Sequence, residues 1–370
     1  MSFEIAIGCN VRKSPYFDAT VADGVRSFSV YNHMFAPSHF GDPEGEYRAL
    51  VTNVVMWDVA CERQVQLAGP DAERLARYLT TREITGMAVG QGKYVPLCDH
   101  DGNLINDPVL QRLSADCFWL SIADSDVLLW ARAIAAERGL DVRVREPDAS
   151  PLAVQGPRAV DVVARLFGDW VRTLRYFWFR QTELDGIPIL LARSGWSKQG
   201  GFELYLRDAR RGADLYGRVK EAGAPFGIVP SAPSDIERVE SGLLSFGADA
   251  RHGVNPFEAG LGAYVNLDRA DEFVGKAALG RIAESGPRRR RVGFFIGGDR
   301  IRGITDWQDV FLERDIVGTV TEAVYSPRLM RNIAVGMLSS DVADDVEGLE
   351  TSLGDGRRSA RVAPLPFIPQ

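Results

Sequence analysis

The run Arg193-Ser194-Gly195-Trp196-Ser197-Lys198-Gln199-Gly200-Gly201-Phe202-Glu203-Leu204-Tyr205 sets an indole, a carboxylate and a phenol around one turn. The face of an indole attracts a cation. A carboxylate accepts two N–H donors at once, and a phenol both donates and accepts. The Gly200-Gly201 pair is expected to let the backbone approach a flat ligand closely. These residue types suit a charged or heteroaromatic small molecule.

A second constellation runs from Asp99 to Val109. Asp101-Gly102-Asn103 reads as a hairpin turn between two apolar runs. Asp107 lies on the returning strand and precedes Pro108, which cannot donate to a sheet ladder. The strand is therefore irregular or at an edge, where Asp107 can point into a cleft. The competing reading is an aspartate satisfied by local backbone N–H groups.

Four further runs carry weaker signals. Val30-Tyr31-Asn32-His33-Met34-Phe35 has pocket-lining chemistry but reads first as core packing. In Trp57-Asp58-Val59-Ala60-Cys61-Glu62-Arg63-Gln64 the charged residues suggest a structural ion-pair network. In Ile236–Leu244, apolar residues share one face at helical spacing, leaving a buried Arg–Glu pair or a ligand contact as equal readings. Glu258, in the glycine-rich passage Asn255–Gly262, either holds a loop or touches ligand. No GxGxxG, P-loop, HExxH or GxSxG pattern is present.

The elements that position these residues read as mixed α and β. Ile187, Ile189 and Leu191 alternate into a strand that leads to the Trp196 turn. Phe118, Leu120 and Ile122 mark another strand. Asp124-Ser125-Asp126 is expected to cap a helix from Val127 to Arg138, ended by Gly139, and Asp141–Arg145 to form a strand. Val65–Pro70 and Leu152–Pro157 both run a strand into Gly-Pro and then a helix, and the strand–helix pair 118–138 has a counterpart at 202–222. Proline at a helix start removes an N–H that lacked a partner anyway. Two similar α+β modules follow, at about 55–145 and 146–225, with room for a ligand between them. After Gly286-Pro287, short β-like runs (Val292–Ile296, Asp309–Leu312, Val317–Val320, Ile333–Leu338, Ala360–Ala363) suggest a small antiparallel barrel. The domains expected are 1–286 and 287–370.

Composition excludes several classes. Of 370 residues, 45% are hydrophobic and 25% charged, which is ordinary for a globular chain. No run reaches the roughly 18 apolar residues of a membrane span, and Met1–Asn10 has no leader pattern. Four scattered cysteines and four scattered histidines point away from zinc and disulfides and toward the reducing cytoplasm. The net charge of -7 argues against a nucleic-acid partner. The basic run Arg288–Arg291 reads as a solvated joint.

Several of these segments together resemble the aminomethyltransferase family of the glycine cleavage system. They are Gly102–Val109, Ser194–Tyr205, Glu237–Leu244, Asn255–Gly262, Phe273-Val274-Gly275-Lys276, Gly318-Thr319-Val320 and Tyr325-Ser326-Pro327. The similarity spans nearly the whole chain in order. It implies an α+β, three-domain cloverleaf: two similar modules around a tetrahydrofolate site, plus a C-terminal antiparallel β-barrel. Within the family the chain is most similar to the branch that demethylates dimethylsulfoniopropionate (DMSP). The residues carrying that likeness are Tyr31–Met34, Trp57–Val65, Asn106-Asp107-Pro108, Ile122-Ala123-Asp124 and Arg193–Gly201. Glycine-cleavage members usually carry a Tyr-Thr-Gly-Glu-Asp-Gly-type segment where Trp196–Gly201 stands here. The iron–sulfur accessory branch has a Lys-Gly-Cys-Tyr-x-Gly-Gln-type signature that this chain lacks. The chain departs from the demethylase pattern at Asn103, where glycine is usual, and at Lys93, where an aromatic often stands; Lys93 and Trp178 bear on which methyl donor is taken.

The resemblance implies methyl transfer from a sulfonium to N5 of tetrahydrofolate, giving 5-methyl-tetrahydrofolate and, from DMSP, methylmercaptopropionate. It implies Asp107 as the essential carboxylate, Tyr94, Glu203 and Tyr205 as further folate contacts, and Tyr31, Met34 and Trp196 as donor-binding residues. No metal is implied. Partners are the two small molecules, without nucleic acid or membrane, and a homodimer is left open. The alternatives are the same fold acting on an N-methyl, O-methyl or glycine-derived donor, and a non-catalytic folate-binding accessory protein.

Overall fold

A computed structural model describes residues 8–250, 253–353 and 356–369. Met1–Ile7, on which most of the leader reading rests, and His252 lie outside them. The chain forms two compact units. The first contains the described residues through Glu73, with Met87–Lys93 and Val109–Ser234; the second contains Arg74–Gly86, Tyr94–Pro108 and the chain from Asp235 onward.

Two sheets dominate the first unit. Among the described residues one has the strand order Arg143–Arg145, Gln64–Ala68, Cys117–Ser121, Val109–Ser114, Gly92–Tyr94. The other runs Phe179–Leu184, Ile187–Ala192, Gly201–Leu206, Ser150–Gln155, Val55–Asp58, Val229–Ser231. The expected repeat is visible in the pairing. Gln64–Ala68 pairs Cys117–Ser121, which pairs Val109–Ser114. Likewise Ser150–Gln155 pairs Gly201–Leu206, which pairs Ile187–Ala192. In both halves a glycine before the proline has positive φ, +140° at Gly69 and +118° at Gly156. A Cβ there would meet a carbonyl oxygen at 2.7 Å (Asp141) and 2.6 Å (Asn53), so only glycine lets the strand turn so closely against its neighbour.

The second sheet has a buried layer on each face. On one face the helices Ala159–Phe167 and Gly212–Gly223 bury Val162, Val163, Leu215 and Val219 against Leu152, Leu191 and Phe202. The 3- and 4-residue spacing gives each helix one apolar stripe, and full burial of each such side chain stabilises by about 1.5–3 kcal/mol. The other face meets the first sheet: Phe179, Leu190, Ala192 and Tyr205 pack with Leu113 and Trp119. The Trp119 and Tyr205 rings are 6.4 Å apart.

The second unit contains the hairpin Leu97–Cys98 and Leu104–Asn106, the helix Asp235–Glu240 and a barrel. Among the described residues the barrel closes through Arg289–Ile296, Arg331–Ser339, Asp315–Ser326, Gln308–Leu312, Leu349–Leu353 and Gly356–Ala363. Each β-run expected after Pro287 is a barrel strand. Leu349–Leu353 is an addition; its alternate burial of Leu349, Thr351 and Leu353 was present in the sequence pattern.

Three local expectations need correction. Asp126 makes no side-chain cap to the helix Val127–Glu137, and Asp124 instead accepts from the Asn32 amide at 2.8 Å. In the Trp57–Gln64 run the ion pair leaves the segment: Arg63 bonds Glu146, while Asp58 takes the Ser14 hydroxyl. The basic run is not all solvated. Arg291 is only 8% exposed and pairs with Asp249 at 3.2 Å, because the outward turn of the strand register points it under the Gly242 and Leu243 carbonyls, to which it donates.

Candidate functional site

Glu203 and Tyr205 are two residues apart on Gly201–Leu206, so the strand period sends both side chains to one face. Glu203 is 5% exposed and Tyr205 1%. The Tyr205 hydroxyl donates to Glu203 Oε2 at 3.0 Å, and the Ser194 hydroxyl donates to the same oxygen. Burial raises the Glu203 carboxyl above the ordinary carboxylate range, and these two donors pull it back. Burial, then the neighbouring Glu203 charge, pushes the Tyr205 phenol well above its usual value. The site thus holds a desolvated carboxylate next to a neutral phenol, both facing the first sheet.

The first sheet contributes acceptors to which the sequence assigned no site role, Gln64 at the end of the Trp57–Gln64 run and Gln111. The Gln64 carboxamide donates to Ser121 Oγ at 2.9 Å, and Ser121 in turn bonds Tyr205. Gln111 stands opposite Trp119 in the register. The side-chain oxygens of Gln64 and Gln111 are buried without a hydrogen-bond partner among the described residues. A buried, unpaired amide oxygen is costly, so a ligand bearing N–H donors would relieve both. Only their place in the alternation marked these glutamines in the sequence.

Of the Gly200-Gly201 pair, Gly201 is crowded and Gly200 faces open space. A Cβ on Gly201 would lie 2.3 Å from the Gln155 amide nitrogen, and one on Gly195 2.0 Å from it. The glycines make room for Gln155, which donates to the Ser194 carbonyl at 3.1 Å and accepts from the Ser197 hydroxyl at 2.8 Å. This glutamine fixes the turn that carries Ser194 and the half-buried Trp196.

Tyr31 and Met34 face each other across the hairpin of Ser27–Tyr31 and Met34–His39. Its tip, Asn32-His33, has φ of 49° and 60°, the doubly left-handed turn that matches strand twist and that Asn tolerates. The Asn32 amide donates to the carbonyls of Cys61 (3.0 Å), Ile122 (3.3 Å) and Ala123 (3.1 Å). The hairpin is therefore pinned from its tip. Met34 is buried in the core, with half-buried Tyr31 packed against that cluster.

In the second unit, Asp107 accepts from the Tyr94 hydroxyl at 2.7 Å. Its own amide donates to Asn106 Oδ1 at 3.0 Å. Tyr264 stands edge-on to Tyr94 at 5.2 Å. The local-turn reading belongs to Asp99, which takes the Asp101 and Asn103 amides. Asp107 lies beyond that turn. Desolvation raises its carboxyl to about 7, with the Tyr94 and amide hydrogen bonds opposing and the Asp249 charge adding. The Tyr94 phenol is raised by burial and by Asp107. Of the weaker runs, Arg238 is a buried structural ion, bonded to Asp249 at 2.9 Å and Glu322 at 3.1 Å. Glu240 binds Ser326 and Arg328, and Glu258 binds Arg289 at 3.2 Å. No cluster suited to a metal occurs among the described residues, and none of their helices is long and apolar enough to cross a membrane.

Two α+β sheets with an acidic, donor-seeking face, followed by a closed barrel, define the class. The chain belongs to the glycine cleavage T-protein family: residues 16–269 match the GCVT N-terminal domain and residues 289–368 the glycine cleavage T-protein C-terminal barrel domain. It is an enzyme of this tetrahydrofolate-dependent family. The dimethylsulfoniopropionate demethylase DmdA of Ruegeria pomeroyi is 43% identical over 352 residues, covering 95% of this chain and 96% of that protein. An aminomethyltransferase of Desulfitobacterium hafniense is 30% identical, covering 87% and 88%. The fold matches the glycine cleavage system aminomethyltransferase T of Bartonella henselae with a TM-score of 0.85 at 23% identity, over 97% of this chain and 98% of that one.

Proposed function

We propose that the protein transfers a methyl group from a sulfonium, DMSP being the leading candidate, to N5 of tetrahydrofolate. The observation that carries this reading is the buried Glu203 carboxylate with Tyr205, facing the unpaired oxygens of Gln64 and Gln111. A pterin edge is rich in N–H donors, and that surface is rich in acceptors. Tetrahydrofolate supplies a neutral amine nitrogen: the S–CH3 bond breaks with its electrons staying on sulfur, the N–CH3 bond forms, and nitrogen then releases its proton. No strong base is required before attack, so the protein's tasks are alignment and exclusion of water.

Asp107 is assigned the proton and the positive charge that develop on the folate, because a carboxyl raised to about 7 exchanges protons near neutral pH. Tyr94 holds it. Trp196 and Tyr31 are assigned to the sulfonium, since an aromatic face binds a cation without offering it a nucleophile; Met34 supports Tyr31 from below. The likeness to DmdA supports DMSP over other donors, and Lys93 and Trp178 are the positions that bear on that choice. The cytoplasm is the compartment this reading places it in, with four free cysteines in support. The test is to incubate the protein with tetrahydrofolate and a panel of sulfonium, betaine and methoxy compounds and identify the folate product. 5-Methyl-tetrahydrofolate with DMSP supports the proposal. 5,10-Methylene-tetrahydrofolate, or product only with another donor, replaces it; binding without turnover indicates the accessory role.

A further inference from the structure

The passage Thr80–Glu83 follows the helix Ala72–Leu79 and lies in the second unit with Tyr94, Asp107 and Tyr264. Its arginine is used unlike its neighbours. Arg77 and Arg269 both bind the Asp271 carboxylate. Arg82 donates to the Tyr94 carbonyl at 2.9 Å, and its guanidinium lies 4.8 Å from the Tyr264 ring centre. The Tyr264 ring in turn stands 5.2 Å from the Tyr94 ring, at 80° to it, and the Tyr94 hydroxyl meets Asp107 at 2.7 Å. A planar guanidinium can donate in its plane and stack through its face at once, which an ammonium cannot. Arg82 therefore holds Tyr94 from two sides, at the backbone directly and at the ring through Tyr264.

The frame around this clamp is densely bonded. Buried Arg269 donates to the carbonyls of Thr80 at 2.9 Å and Arg82 at 3.2 Å. The Thr81 amide donates to Pro96 O at 3.1 Å, and the Thr81 hydroxyl to Tyr264 O at 3.1 Å. Asn266 N–H returns to Thr81 O at 3.1 Å, and Val95 N–H reaches Pro108 O at 2.9 Å. This one passage thus fixes the backbone beside both tyrosines, and the residue after Tyr94 is fixed to the residue after Asp107. Backbone bonds do not set a side-chain rotamer. A phenol left free to turn would lose conformational entropy in making its hydrogen bond. A ring packed in advance makes the same bond without that loss.

We infer that Arg82 is a positioning residue which, with Tyr264, keeps the Tyr94 hydroxyl on Asp107. The inference rests on the reading of Asp107 as the catalytic carboxylate. Asp249 also acts on Asp107, and Arg291 on Tyr94, through charge; both stay unaltered in the variants that test it. The Tyr94 bond opposes the burial that raises Asp107, so loosening it should raise the carboxyl further.

The experiment follows the titration of Asp107 in the full chain by NMR of its side-chain carboxyl carbon, assigned with Asp107→Asn, and beside it the inflection in kcat/KM. Arg82→Met should move both upward by about one pH unit, the size expected of one weakened hydrogen bond. Arg82→Lys keeps the charge without the planar fork and should recover only part of the shift. Tyr264→Leu removes the ring between Arg82 and Tyr94; it should also move both upward, and it carries the test if Arg82→Met does not fold. In a Tyr94→Phe background there is no hydroxyl to place, so Arg82→Met should add nothing there. An unmoved carboxyl titration in Arg82→Met or, should that variant not fold, in Tyr264→Leu overturns the inference. So does a further shift on top of Tyr94→Phe, or full recovery with Arg82→Lys, either of which makes the effect one of charge alone. A carboxyl titration that moves while kcat/KM does not leaves the inference standing and overturns the catalytic reading of Asp107.

Discussion

The Tyr94 hydroxyl lies 2.7 Å from Asp107 Oδ2, and this one bond ties the candidate catalytic carboxylate to a phenol thirteen residues earlier in the chain. It opposes the desolvation that lifts Asp107 to about 7. The group therefore changes charge in the range where the enzyme is expected to work.

The ionised form of Asp107 is the one that stabilises positive charge on the folate, so kcat/KM should rise with pH through about 7. Asp107→Asn should remove that inflection and cut turnover by about 10²–10⁴. Linkage gives a separate check. The folded-state value lies above the unfolded one, so the native state holds more protons between pH about 4 and 7, and stability contributed by this group falls as pH rises through that window. The Asn variant should therefore gain in Tm relative to the parent from pH 4 to pH 8. A gain that does not depend on pH would contradict the raised value.

Tyr94→Phe deletes the donor that lowers the Asp107 value. The inflection in kcat/KM should move to higher pH, while activity on the alkaline plateau stays within a few-fold. Loss of the plateau itself would mean that the phenol acts on the substrate directly.

Glu203→Gln keeps size and keeps one acceptor but removes the charge. Tetrahydrofolate affinity should fall by about 10- to 100-fold, the range of a charged hydrogen bond of roughly 1.5–3 kcal/mol. Tm should hold or rise, because burial disfavours the ionised carboxyl there. Unchanged affinity by fluorescence titration would remove Glu203 from the folate site.

Trp196→Leu should raise KM for a sulfonium donor with little change in the folate KM, since a desolvated cation–π contact is worth about 2 kcal/mol. An equal rise in both constants would point to a collapsed turn instead of a lost cation contact.

Gly201→Ala should destabilise by about 1–3 kcal/mol, because the new methyl meets the Gln155 amide at 2.3 Å. Shortening the neighbour as Gln155→Ser should recover part of the loss in the double variant. Thermal unfolding of the two single variants and the double variant measures this coupling.

The sequence by itself determined the elements and the residue types: the repeated strand–Gly-Pro–helix units, the barrel runs after Pro287, and the carboxylates Asp107 and Glu203. The elements follow from periodicity and turn chemistry, which are local; the roles proposed for Asp107 and Glu203 were implied by the family resemblance. Tertiary structure decided the partners. The Gln64 and Gln111 oxygens matter because another sheet faces them with Tyr205. Gly201 is crowded by Gln155, 46 positions away in the numbering. Arg63 chose Glu146 over Asp58, and Asp107 took the Tyr94 hydroxyl beside its own backbone N–H. Burial and hydrogen bonding between segments distant in sequence set these choices, and neither leaves a local pattern along the chain.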